Sequence, residues 1–218
     1  MSAFDVGEDM SPIAWKPSYN VAPSQIIPVV SGGVHRVLEG ATWGFLAPWK
    51  GTGSLVINAR VETVFEKPTF RRFTGSGRCV IPLTGYYEWL TNDETKTRLG
   101  IGPGKHPFFI RADERSPLRH GAMLGAAGLI SREKGESRCV MLTRAANRSV
   151  VEIHDRMPLL LDGMAMGEWL GESSMPDVGM VMAAGEVDLQ ASRVSRLVNS
   201  VRNDSPSLLE PDEPETLF

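Results

Sequence analysis

The sequence predicts an α+β domain: one large sheet of mostly antiparallel strands, curled into a barrel-like core, with a few short helices beside it. Three observations lead there. Short β-like runs recur along the chain, separated by Gly, Pro and polar turns, the pattern of sheet-rich domains. Helical periodicity is confined to a few brief stretches. The 218 residues, 42% hydrophobic and 22% charged, suffice for one sizeable core. A single domain is therefore expected over 1–218, with a Pro- and acid-rich tail from about 206 to 218 that predicts fraying.

In chain order the strand candidates are QIIPVV, HRVLE, GSLVINA, GRCVIPL, GYYEWL, HPFFIRA, AMLGAAGLI and RCVMLTR. Most set β-branched or aromatic residues between turn formers. Residues 92–106 and 131–137 read as hairpin loops. The stretch VETVFEKPTFRRF holds one or two short helices broken at Pro68, since proline cannot donate to a helical ladder. RAANRSVVEI and DGMAMGEWLG have helical spacing, the second with Asp162 as N-cap and its end at Gly171. No internal repeat is visible.

Composition narrows the function. No apolar run approaches the roughly 20 residues of a membrane helix, so no membrane partner is expected. The start, MSAFDVGEDMSPIAW, has neither a basic region nor an apolar stretch, which argues against a secretory signal. Cys79 and Cys139 lie within apolar runs, predicting buried reduced thiols and a cytoplasmic protein. Four histidines and two cysteines show no metal-ligand spacing, so neither metal nor cofactor is expected. A net charge of −3 argues against a general nucleic-acid binder. Yet Arg60, Arg71, Arg72, Arg78, Arg144 and Arg156 cluster near the apolar motifs, while acids gather in TNDETK and EPDEPETLF. A local basic groove on an acidic protein is compatible with both facts.

Three polar residues interrupt strand patterns. Asn58 ends SLVINAR, Glu88 breaks the aromatic run GYYEWL, and His154 ends SVVEIH. Each has an ordinary reading: Asn58 starts a turn, Glu88 points to solvent while Tyr87 and Trp89 face the core, and His154 is a satisfied structural ring. The triplet His154, Asp155 and Arg156, closed in by apolar residues, is costly to bury without partners. A glutamate among aromatics has its proton affinity raised, and a histidine titrates near neutrality, so together they suit proton transfer.

The motifs SYNVAPSQ, WGFLAPW, INARVET, RCVIPLTGYYEW, HPFFI, AGLI, LTRAAN, IHDRMP and VSRLVNSVRND run in order from about Tyr19 to Pro211. In this the chain resembles the SOS-response-associated peptidase (SRAP) family. The resemblance implies a sheet-rich protein that senses abasic sites in single-stranded DNA. In that family an N-terminal cysteine condenses with the ring-opened sugar, giving a Schiff base and then a thiazolidine crosslink. The matching roles are catalytic for three residues. Asn58 positions the N-terminal residue and the sugar, Glu88 accepts the amine proton, and His154 assists ring opening. Arg60 and Arg156 match arginines that hold DNA phosphates. Trp49 and Trp89 match an aromatic wall around the DNA, and Asn20, Pro23 and Thr143 line the site. The partner implied is single-stranded DNA with an abasic site, handled by a monomer.

One departure stands out. The family opens Met-Cys-Gly-Arg, whereas this chain opens MSAFDVGEDM, without the cysteine and the arginine that follows it. A start placed too far downstream, a missing first strand and a homologue that lost its crosslinking residue all account for this. Two other activities stay open. One is an autoproteolytic peptidase, a hydrolase using the same Glu88 and His154, although no G-x-S-x-G elbow supports a serine hydrolase. The other is a DNA-binding, phage-related accessory protein with a decayed site.

Overall fold

Alternating apolar residues and turn punctuation produce the strands that the sequence announces. The computed structural model describes residues 2–11, 14–47, 51, 53–133, 135–171, 173 and 175–211. Its strands are β1 Val6–Asp9, β2 Ile26–Ser31, β3 Arg36–Trp43, β4 Phe45–Leu46, β5 Leu55–Val56, β6 Asn58–Arg60, β7 Arg78–Leu83, β8 Tyr86–Leu90, β9 His106–Ala112, β10 Arg119–His120, β11 Met123–Glu133, β12 Glu136–Ala145, β13 Arg156–Pro158, β14 Leu160–Leu161 and β15 Leu189–Arg193. The helices are α1 Val61–Val64, α2 Pro68–Arg71, α3 Asp93–Arg98, α4 Gly163–Leu170 and α5 Val178–Ala183. None is long and apolar enough to cross a membrane among the described residues.

Ten strands form one sheet, and five of them close on themselves: β3, β2, β7, β11 and β12 pair in turn, and β12 returns to β3. This is the curled sheet the sequence predicts. Strands β15, β9 and β8 form a separate antiparallel sheet. One face of the ring, through Val30, Val80, Leu129 and Val140, joins a core with Trp169 and Met166 of α4. The other, through Val29, Cys79, Ile130 and Cys139, joins a core with Ile110 of β9 and Leu189 of β15. The three-stranded sheet is therefore packed against the ring, and the candidate site lies along that junction. Both cysteines are buried free thiols.

Helix α4 is capped as predicted: the Asp162 carboxylate accepts the Ala165 N–H at 2.8 Å. Helices α1 and α2 are separated just before Pro68, which takes the first turn of α2. Buried Arg78 joins this region to the end of α4, donating to the carbonyls of Thr74, Gly75, Trp169, Gly171 and Ser173. Helix α3 sits inside the predicted β8–β9 hairpin loop, and the β11–β12 hairpin is tighter than 131–137, with both strands running into that span.

Two expectations fail. RAANRSVVEI is not a helix, because Asn147 turns the chain. Its side-chain oxygen accepts from Ser149 N–H at 3.1 Å and Ser149 O–H at 2.6 Å. Its amide donates to the carbonyls of Gly185 and Val187. Fraying does not begin at Pro206: Pro206–Leu209 forms a 3-10 turn with Leu208 fully buried, and Pro211 bridges to Val194, while the rest of the expected tail, 212–218, lies outside the described residues. One apolar anchor outweighs the acidic, proline-rich composition around it.

Candidate functional site

Strand alternation decides where Glu88 points. Tyr86, Glu88 and Leu90 share one face of β8, and their neighbours across the β8–β9 ladder include Ile110 and His106, both buried, as is Leu90. Glu88 therefore faces the core side. Tyr87 and Trp89 take the opposite face, where Tyr87 stacks near Phe109 at 5.3 Å. The solvent-facing reading of Glu88 is overturned.

His154 comes from the turn that links β12 to β13, and its Nε2 lies 3.9 Å from the Glu88 Oε2. The backbone N–H of Arg156 donates to Nδ1 at 3.0 Å. A backbone N–H can only donate, so in the neutral ring the proton sits on Nε2, on the side of Glu88. When the ring takes a second proton, Nδ1 has acceptors at hand in the Arg156 carbonyl at 3.1 Å and the Asp155 carboxylate at 3.4 Å. Asp155 thus serves the histidine, as its place in the triplet suggests. Burial raises the proton affinity of Glu88, while the imidazole and the Trp89 N–H oppose that rise. A half-buried carboxyl beside a half-exposed imidazole is an arrangement able to pass a proton between them.

Asn58 and Arg60 are exposed and stand on one face of β6, flanking the buried Ala59. Their cross-strand partners are Met141 and Thr143 of β12. Met141 packs at the edge of the core that Ile110 occupies, so Asn58 projects toward the side of the three-stranded sheet. No hydrogen bond joins Asn58 to Glu88 or His154 among the described residues. Arg60 makes no ion pair among the described residues, which leaves its charge open to a ligand. Thr143 is buried, and its carbonyl accepts from Arg156 at 2.7 Å.

Arg156 is already engaged. Its guanidinium grips the Glu62 carboxylate in a two-point pair at 2.7 and 2.9 Å. A phosphate arriving at Arg156 must therefore displace Glu62 or share the fork with it. Glu62 lies in the INARVET motif yet carries no role in the sequence reading. Its partner is far away along the chain, so no local signal reveals the pair.

The remaining residues gather around the loop of the VSRLVNSVRND motif. The Asn20 amide donates to the carbonyls of Val198, Ser200 and Asn203. Trp89 Nε1 donates to the Asn199 side chain at 2.6 Å, and the Tyr87 hydroxyl donates to the Tyr19 carbonyl. Asn20 is thus a clamp on that loop, and β8 carries Glu88 on one face and the loop-binding Trp89 on the other. Pro23 is exposed in the turn before β2. Trp49 lies outside the described residues.

A family model described as SOS response associated peptidase (SRAP) matches residues 1–201, beginning earlier than Tyr19. The abasic site processing protein YoaM of Bacillus subtilis (strain 168) is 34% identical over 219 residues, covering 95% of this chain and 90% of that protein. The abasic site processing protein YedK of Escherichia coli (strain K12) is 31% identical, covering 95% of this chain and 89% of that one. Among solved structures, a protein from Bordetella bronchiseptica superposes with a TM-score of 0.64 at 22% identity, covering 88% of this chain and 92% of its own. At that identity the likeness concerns the fold. The ring-shaped sheet, the order of motifs and the span of the match agree: this chain belongs to the SOS response associated peptidase (SRAP) family.

Proposed function

We propose that this protein recognises abasic sites in single-stranded DNA and moves protons at the ring-opened sugar through Glu88 and His154. The observation that carries the reading is the facing of Glu88 Oε2 and His154 Nε2 at 3.9 Å, both side chains partly exposed. The names of the relatives, abasic site processing proteins, point the same way. An abasic sugar opens to an aldehyde, which an amine attacks to give a carbinolamine. Glu88 takes the proton that the attacking nitrogen releases. The Nε2–H of His154 protonates the departing hydroxyl, which leaves as water and yields the imine. Arg60, exposed and beside Thr143, holds a phosphate, and Asn58 two residues before it orients the sugar.

An imine alone is reversible. Its capture as a thiazolidine needs a thiol next to the attacking amine, as an N-terminal cysteine provides. Cys79 and Cys139 cannot serve, because both are buried and burial pushes both thiols up, Cys139 to about 12. The experiment compares this chain with a version opening Cys-Gly-Arg on uracil-glycosylase-treated single-stranded DNA, read on denaturing gels. The cysteine version is expected to give a heat-stable adduct, and Glu88→Gln or His154→Ala in that version to reduce its rate by about 10²-fold or more. Adduct formation that ignores both substitutions overturns the reading.

A further inference from the structure

A carboxylate and a phosphate present the same face to a guanidinium, two oxygens meeting two parallel N–H donors. Glu62 and Arg156 pair in this way, Nη1 donating to Oε1 at 2.7 Å and Nη2 to Oε2 at 2.9 Å. The other edges of the guanidinium are closed. Its Nε is out of solvent, and Nη2 also donates to the Thr143 carbonyl at 2.7 Å. The edge open to a ligand is therefore the one Glu62 holds, and the Glu62 side chain is 38% exposed. An anion gains this arginine by exchange with the carboxylate rather than by sharing it.

The pair stands within the site. The backbone N–H of Arg156 donates to His154 Nδ1 at 3.0 Å, and its guanidinium lies against Thr143, the cross-strand partner of Arg60. Glu62 follows Arg60 by two residues, in the first turn of α1. Arg60 and Arg156 thus flank Thr143, one open and one neutralised. Hydrogen bonds from Arg156 hold the Glu62 carboxyl below its usual range, so the neutralisation is complete near pH 7. A pair this solvated is also cheap to open.

We infer that Glu62 stands in for a DNA phosphate at Arg156 in the free protein, keeping the guanidinium fork formed but occupied until a strand arrives and displaces it. This role rests on the reading above in taking single-stranded DNA as the ligand. A lone small anion offers Arg156 little that the tethered carboxylate does not already supply. A strand anchored at Arg60 brings a further phosphate to the fork at high effective concentration, and the exchange then proceeds. Exchange leaves a mark on salt dependence. The phosphate sheds a counter-ion while the freed carboxylate takes one up, so Arg156 adds little to the slope of binding.

The test measures binding of labelled single-stranded oligonucleotides, one intact and one with a glycosylase-made abasic site, over a salt series. Glu62→Gln is expected to bind both about three- to fivefold more tightly at low salt, the scale of one partly exposed ion pair. Its slope of log affinity against log salt should steepen by roughly 0.7, because Arg156 then takes a phosphate without freeing a carboxylate. Exposed Glu66, in the same segment, controls for charge alone, and Glu66→Gln should change affinity by less than about twofold. Adding Arg156→Ala to Glu62→Gln should abolish the gain. Unchanged or weaker binding by Glu62→Gln, the result of a purely structural role, overturns the inference. So does a gain that survives Arg156→Ala or that Glu66→Gln reproduces. Equal affinity of the unaltered protein for the two oligonucleotides overturns the abasic-site reading instead, and Glu62 is then judged on the intact strand.

Discussion

Glu88 and His154 meet at 3.9 Å although they come from different sheets, the first from β8 and the second from the turn leading into β13. Their approach depends on the three-stranded sheet staying packed on the ring through Ile110 and Leu189. The juxtaposition of the carboxyl and the imidazole is therefore a property of that packing.

Glu88 sets the first expectation. Burial makes it hold a proton more tightly in the folded chain than in the unfolded one. Such a carboxyl favours folding below its unfolded value, about pH 4, and withdraws that support as pH rises through its raised value. Glu88→Gln should therefore raise the melting temperature at pH 7 by a few degrees while impairing activity. The gain should vanish near pH 4, as calorimetry at both pH values will check.

Glu62 behaves in the opposite sense. Its hydrogen bonds to Arg156 hold its carboxyl below the usual range. The stability this supplies is complete above the unfolded value, about pH 4, and is lost as pH falls through the lowered one. Glu62→Gln should cost roughly 1 kcal/mol at pH 7, a modest figure because the pair is partly solvated. Urea midpoints of the two proteins should converge near pH 3.

The two arginines at the site should separate by salt dependence. Arg60→Ala should weaken single-stranded DNA binding and lower the slope of log affinity against log salt by roughly 0.7, with stability unchanged. Arg156→Ala should also weaken binding, but it strands Glu62 and frees the Thr143 carbonyl, so its melting temperature should fall as well. Anisotropy titrations over a salt series, paired with thermal melts, check both.

Arg78 provides a test remote from the site. Its guanidinium serves five carbonyls from a buried position. A lysine ammonium has three donors and no planar fork, so Arg78→Lys should cost on the order of 2–3 kcal/mol. Denaturant unfolding measures it, and a change under about 0.5 kcal/mol would contradict the role.

Much of this was legible in the chain. GRCVIPL and HPFFIRA become strands at the stated residues because turn formers bracket them and their apolar positions pack on both faces. Strands β1 and β15, reading VGED and LQASR, are polar ribbons at sheet edges and leave no alternating apolar signal. GYYEWL alone allows either face for Glu88, since the sequence does not say which side meets the ring. The Glu62–Arg156 pair depends on elements distant in sequence. Asn147 defeated a helical spacing by bonding its own turn and the carbonyls of Gly185 and Val187.

The ring is sealed where Thr42 and Trp43 of β3 meet Arg138 and Cys139 of β12, a short parallel pairing between segments far apart in the chain. Such a seam forms only after most of the intervening polypeptide has found its place, so the fold has a high contact order and gathers itself slowly. Until the seam closes, β3 and β12 present unsatisfied edges that a neighbouring chain can capture. The indole of Trp43, which donates to the Ile57 carbonyl at 3.0 Å beside that seam, is a built-in reporter of the moment at which it shuts.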